Sequence, residues 1–368
     1  MSENIAPFIE DGQLHILVAF DIGFEIKLAQ IPSLFPNRIR DPVGYNFLSR
    51  SIGRDTLPIR LVLDSVTLNF LGKDRRLQIF ATFFDIGALS LEFICDLNET
   101  VDRLPSLAID IQNSKDLVAV AQRIAEDIFR VSKNAITAPN LFNVPLVFTV
   151  FNIRGLEPKI STDVITDSFG SIIAKTLRGS EEPIGQPEID RTLNPYIAYS
   201  DNDVVFVSST VAVVFDENSS EVIDVFELLN VQCLELRFID AKLDATLQSL
   251  YDDTEKRHSW WSRFFDLFEA QSRKLNTTHL DSTIIVERVE QSYKFATDSY
   301  LVRIHELCVN KMFLNLFSTA IDKKLQAIRD VITDHRDRAT SIRMEILEWI
   351  VVILIAVDVV PKVLSLFK

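Results

Sequence analysis

Every residue after Gly185 is something other than glycine, and no proline occurs between Pro195 and Pro361, although the 368-residue chain holds ten glycines and 13 prolines. Glycine permits left-handed turns and proline forbids a continued helix, so the two are the strongest stops a backbone has. A stretch this long without either is expected to fold into long helices. The glycine-bearing front is expected to hold shorter, mixed elements. The fold class read from this contrast is α+β: an N-terminal mixed α/β domain, then a long helical hairpin or coiled coil ending in an apolar C-terminal helix.

Residues 13–215 read as the mixed domain. Leu14–Phe20, Ile59–Phe70, Leu77–Phe93, Val144–Phe151, Tyr196–Tyr199, Val204–Val207 and Val211–Phe215 are rich in β-branched and aromatic residues and are flanked by turn formers. Ser114 is placed to cap an amphipathic helix with Leu117, Val120, Ala121, Ile124, Ile128 and Val131 on one face. A shorter helix is expected over Asp167–Leu177. Phe20-Asp21-Ile22-Gly23 recurs as Phe84-Asp85-Ile86-Gly87, either a duplicated strand–turn unit or coincidence, with the aspartates as turn formers. Residues 178–195, where glycine, proline and charge cluster, read as a loop or linker.

The helical half divides by pattern. Over 219–251, Leu229, Leu236, Leu243 and Leu250 recur every seven residues, with Phe226, Cys233, Asp240 and Leu247 three before each. This is a heptad seam with one charged member, Asp240, either a ragged register or a polar contact that fixes it. Residues 252–280 read as a hairpin tip, with Trp260, Trp261, Phe264, Phe265 and Phe268 either packed in a turn or set in a lipid interface. Residues 281–344 read as a long coiled-coil helix whose seam includes Leu307, Leu314, Ile321 and Ile328, broken at Lys311 and His335. Unbroken from 281 to 367, such a helix would span about 130 Å, with a kink expected near Asp334–Arg338.

Residues 345–368 are the most apolar segment. Leu347, Glu348, Trp349, Ile350, Ile353, Leu354, Ile355, Asp358 and Lys362 define it. From Trp349 to Phe367 a helix measures about 28 Å, close to the hydrocarbon thickness of a bilayer. Asp358 near mid-depth would cost about 2.5–3.5 kcal/mol, offset in part by Lys362 one turn on and by the surrounding Ile, Leu and Val. The segment is read as a membrane anchor or, alternatively, as the buried core of an oligomeric bundle.

A net charge of −14 argues against direct nucleic-acid binding, which needs basic surface to displace counterions. Cys95, Cys233 and Cys308 lie far apart with no metal-ligand spacing, and read as buried free thiols. The first residues, Met1–Gly12, carry neither a secretory nor a transit-peptide pattern. No phosphate-binding glycine loop, nucleophile elbow or HExxH pattern occurs. His335-Arg336-Asp337 lacks the other parts of a kinase site. Glu287, Glu290 and Glu306 lack the Glu-x-x-His partners of a di-iron site. No catalytic, cofactor-binding or metal-binding residue is therefore expected, no cofactor, and no enzyme activity.

The last helices resemble a known family. Leu347-Glu348-Trp349, the following Ile/Val/Leu run and Asp358 are similar to the C-terminal signature of the "required for meiotic nuclear division" family, domain-of-unknown-function family 155. Leu280-Asp281, Val286-Glu287-Arg288-Val289-Glu290 and Tyr300-Leu301 resemble its bacterial members, and Phe84-Asp85-Ile86-Gly87 its early strand turn. The resemblance implies an α/β domain, a coiled coil and a membrane segment. Mitochondrial members are inner-membrane oligomers that support translation, and no catalytic residues are established for the family. The expectation is a membrane-tethered, self-associating scaffold on the cytoplasmic face, recruiting an unidentified protein through its front domain. The alternatives are a soluble cytoplasmic oligomeric assembly factor with the apolar tail buried and, further off, a ligand-binding or enzymatic front domain.

Overall fold

A computed structural model describes residues 7–41, 57–142, 144–157, 162–199, 203–255, 283 and 298–366. The α+β reading holds: a sheet domain comes first and long helices follow. The chain forms two compact units, Met1–Phe238 with Ile285–Ser318, and Ile239–Ile284 with Thr319–Lys368.

In the first unit the strands of the main sheet are β1 (Phe8–Asp21), β2 (Ile59–Phe70), β3 (Lys73–Phe83), β4 (Ala88–Asp96), β5 (Leu146–Glu157), β6 (Val204–Val207) and β7 (Val211–Phe215), and Glu25–Ile26 pairs with Ile136–Thr137 apart from it. They form one sheet in the order β2-β3-β4-β1-β5-β7-β6, in which only β5 and β7 run parallel. The central strand β1 is buried on both faces from Leu14 to Asp21, which explains its nearly continuous apolar run. Leu14, Ile16, Val18 and Phe20 share a core with helices α1 (Leu104–Asn113), α2 (Lys115–Ser132) and α3 (Thr162–Arg178). Ser114 caps α2 as its sequence predicts, accepting from the Leu117 amide at 3.2 Å.

The opposite face of the sheet meets α5 (Ser220–Glu255). Asn230 on this helix donates to the Leu146 carbonyl at 3.2 Å, and Phe226 packs on Phe148 with ring centroids 5.6 Å apart. Every residue from Val222 to Leu236 is buried. This part of the helix expected to pair in a hairpin is thus a core element of the sheet domain. The Leu229 and Leu236 seam is buried within the first unit, while Leu243 belongs to the second.

Two further expectations are corrected. Residues 178–195 contain a helix, α4 (Gln186–Leu193). Pro187 sits in its first turn, where a missing amide hydrogen costs nothing, and Ile189 and Leu193, one turn apart, are buried. The proline read as loop punctuation is a helix start. The long helix from 281 is also not continuous: α6 (Ser299–Lys311) and α7 (Leu314–Leu366) are separate, and residues 334–338 are helical within α7. The break falls at Phe313, whose φ is 62°. That left-handed position after a helix end usually belongs to glycine, and this half of the chain has none. Lys311, the first irregularity of the seam, donates to the carbonyls of Thr192 (3.2 Å) and Asn194 (2.7 Å).

The Phe-Asp-Ile-Gly repeats meet at one end of the sheet. The Ile22 amide donates to the Gly87 carbonyl and that of Ile26 to the Asp85 carbonyl, both at 3.0 Å. Asp21 accepts from the Gly23 amide at 3.0 Å, which is the turn-forming role expected of it.

Candidate functional site

Charged residues inside strands that are buried on both sides are rare unless paired. The face of the sheet beneath α5 has several. His15, in the middle of β1, bonds through Nδ1 to Glu92 Oε1 of β4 at 2.7 Å. The second Glu92 oxygen takes Arg60 Nη2 from the edge strand β2. Arg60 also faces Asp41 at 3.5 Å, Asp224 of α5 at 3.6 Å and Glu227 at 4.0 Å, and its guanidinium lies 4.4 Å over the Phe80 ring. One cation thus ties the sheet's edge, its centre and α5 together.

Register explains the gathering. Arg60 pairs with Thr82, Phe80 with Glu92 and Glu92 with Leu17, so these side chains emerge on one face. On α5, Asp224, Glu227 and Glu235 project toward a common side, away from Leu229 and Leu236. Burial opposes the charge of Glu92, but Arg60 and His15 outweigh it and hold the carboxyl below the usual carboxylate range. Glu235 has the reverse fate: burial pushes it well above that range, and Asp21 adds repulsion.

The chemistry available is limited. Glu92 orients the His15 ring as a carboxylate orients a general base. His15 Nε2 has no hydrogen-bond partner among the described residues. Among the described residues no group of three or more His, Cys, Asp or Glu is placed to hold a metal ion. The three cysteines are free and buried, and burial raises the Cys95 thiol to about 11.

None of these network residues stood out as a site from the sequence. The signal was present: His15 and Glu92 are lone charges in the apolar runs Leu14–Phe20 and Ala88–Cys95, and Asp224, Glu227 and Glu235 interrupt the most buried stretch of α5. Read by helical periodicity alone, that acidic side passes for a solvated face.

The residues expected from the sequence lie elsewhere. Leu307 and Leu314 are buried in the first unit, and Ile321 and Ile328 in the second. Asp240, the charged seam member, bonds Lys324 at 2.6 Å within the second unit, which favours the register-fixing reading. The Leu250 side chain and the tip residues Trp260, Trp261, Phe264, Phe265 and Phe268 lie outside the described residues. In the tail, Leu347, Glu348, Trp349, Ile350, Ile353, Leu354 and Ile355 are exposed on α7, and the side chains of Asp358 and Lys362 lie outside the described residues. Among the described residues no helix is long and apolar enough to cross a membrane.

A mixed seven-stranded sheet covered by helices on both faces, with its last covering helix prolonged beyond the domain, defines the class of protein. The comparisons with known proteins give the family. The chain belongs to the family described as "Uncharacterized protein MJ0711, N-terminal domain", matched over residues 11–221, a range that takes in all of the sheet but the first three residues of β1. It is 21% identical over 253 residues to uncharacterized protein MJ0711 of Methanocaldococcus jannaschii, covering 68% of this chain and 76% of that protein. No solved structure matches. These comparisons do not confirm the assignment to the meiotic-nuclear-division family, whose resemblance rests chiefly on residues 280–358, beyond the matched range.

Proposed function

We propose that the protein is a non-enzymatic, self-associating scaffold held at a membrane by its C-terminal helix, with the sheet domain recruiting a protein partner. One observation carries this reading. From Trp349 to Ile355 every residue is apolar and about half exposed or more, from 48% at Ile350 to 63% at Leu354, so the helix is apolar around its whole circumference. A helix of that kind is stable only when buried on all sides, in lipid or among other helices. The sequence continues it with Val357, Val359, Val360, Val363, Leu364, Leu366 and Phe367. The resemblance of 343–358 to the meiotic-nuclear-division family supports the same arrangement.

Membrane fractionation tests it. The full-length protein is expected in the carbonate-resistant membrane fraction, and deletion of 345–368 is expected to release it. A full-length protein that stays in the supernatant as a monodisperse species overturns the tether. A second reading, an oligomer that buries the tail among its own copies, is favoured by the lack of a membrane-length apolar helix among the described residues. In that case Ile353→Asp with Ile355→Asp dissociates a discrete oligomer seen by light scattering without detergent.

A further inference from the structure

Lys311, the last residue of α6, carries a cation that no carboxylate neutralises: it forms no ion pair among the described residues. Its ammonium donates instead to the carbonyls of Thr192, at 3.2 Å, and Asn194, at 2.7 Å. Both lie at the C-terminal end of α4, where helix carbonyls lack partners of their own and a cation is favoured. The lysine is half-buried, and burial, then the nearby charge of Arg191, lowers its pKa from the ordinary lysine value. Arg191 itself is 81% exposed and stands 3.6 Å from Glu188. Lys324 offers the contrast within the second unit. Burial lowers it too, but Asp240 and Asp244 outweigh burial and raise it.

The chain turns directly after Lys311. Met312 is buried and Phe313 holds its φ of 62°. The amides of Met312 and Phe313 donate to the carbonyls of Cys308 and Asn310, and those of Leu316 and Phe317 to the carbonyl of Phe313. The ammonium fastens this turn to the end of α4.

We propose that Lys311 is a lysine-acylation site, modified by an acyl phosphate, and that its acylation unfastens the α6–α7 turn from α4. The free amine attacks the acyl carbon and an N–C bond forms. The C–O bond to phosphate breaks, phosphate leaves with the electron pair, and Nζ gives one proton to solvent. Two features select this lysine and this donor. The nucleophile is the amine and not the ammonium, and Lys311 lacks the carboxylate that would hold it charged. Arg191 beside it supplies a guanidinium for the phosphate of the donor. The product amide is neutral and keeps one N–H. It serves one of the two carbonyls at most, and it no longer places a charge at the end of α4.

The test incubates the full-length protein with acetyl phosphate and follows acetylation of Lys311 and Lys324 by mass spectrometry. Lys311 is expected to react about tenfold faster or more. Arg191→Gln should slow Lys311 and leave Lys324 as it was. Hydrogen exchange then reads the consequence in the acetylated wild-type protein, which folds before it is modified. The amides of residues 312–317 are expected to exchange about fivefold faster or more, with those of β1 and β4 unchanged. Lys311→Gln should reproduce the increase, and Lys311→Arg, which keeps the charge, should not. A Lys324 rate equal to that of Lys311, or no slowing by Arg191→Gln, overturns the assignment of the site. Unchanged exchange at 312–317 after acetylation, or an increase shared by β1 and β4, overturns the unfastening.

Discussion

The ammonium of Lys324 lies 2.6 Å from Asp240 Oδ1 and 2.7 Å from Asp244 Oδ1, one turn further along α5. A single cation on α7 therefore locks two successive turns of α5. Burial works against the charge of Lys324, but the two carboxylates raise it above its usual value. Partly exposed pairs of this kind contribute about 0.5–1 kcal/mol, and Asp244 is too exposed to add much. Lys324→Met is expected to lower the stability of the second unit by about that amount, more at low salt than at high. A denaturant midpoint that does not move, at either ionic strength, contradicts the pairing.

Gly87 is where the two repeat turns come closest. Its φ is +101°, and a Cβ there would lie 1.9 Å from the Gly23 carbonyl oxygen. Gly87→Ala is expected to cost about 3 kcal/mol or more, because backbone has to move. Gly72, in the β2–β3 hairpin, also has a positive φ (+74°) but has nothing within 4 Å. Gly72→Ala is expected to cost only about 1–2 kcal/mol. Urea unfolding of the two variants side by side separates a steric clash from conformational strain.

Arg60 balances buried carboxylates on two elements, Glu92 of β4 and Asp224 and Glu227 of α5. Arg60→Met removes the cation and leaves Glu92, Asp224 and Glu227 facing one another. Breaking a buried pair from one side costs about 3–5 kcal/mol. The further change Glu92→Gln is expected to return part of that loss, and a double-mutant cycle on thermal unfolding measures the coupling.

The two buried glutamates respond to pH with opposite sign. Glu235 has a folded value above its unfolded one, so the folded state holds the extra proton. Its contribution is complete below the ordinary glutamate value and is lost as pH rises through the folded one. Glu92 lies low when folded, so its contribution is present above the ordinary value and lost as pH falls through the lowered one. Glu235→Gln is expected to flatten the decline on the alkaline side, read from the melting temperature between about pH 5 and pH 9. A decline that persists unchanged in the variant removes Glu235 as its source.

Much of the architecture was legible in the sequence, because strands and helices advertise their periods. Leu117, Ala121, Ala125 and Ile128 repeat at helical spacing and lie buried along α2. The α4 helix was hidden because Pro187 signals a stop and a first turn with the same letter. The buried network was hidden for a different reason. Glu227 looks the same whether it faces water or Arg60, and only the register of β2, β3 and β4 decides which. Local pattern fixes the period of an element, not what covers its polar side.

The stop at Phe313 sets a condition on the helices that flank it. A glycine there would bend of its own accord, whereas a phenylalanine has to be held at φ 62° against an intrinsic bias toward right-handed helix. The restraint comes from the folded surroundings, where Lys311 grips two carbonyls and Met312 is buried. The junction behaves as a loaded spring whose catch is tertiary structure. A synthetic peptide of residues 299–330, freed of that catch, is expected to straighten into one uninterrupted helix wherever it is helical at all. The bend is written into the neighbours of residue 313 and not into residue 313 itself.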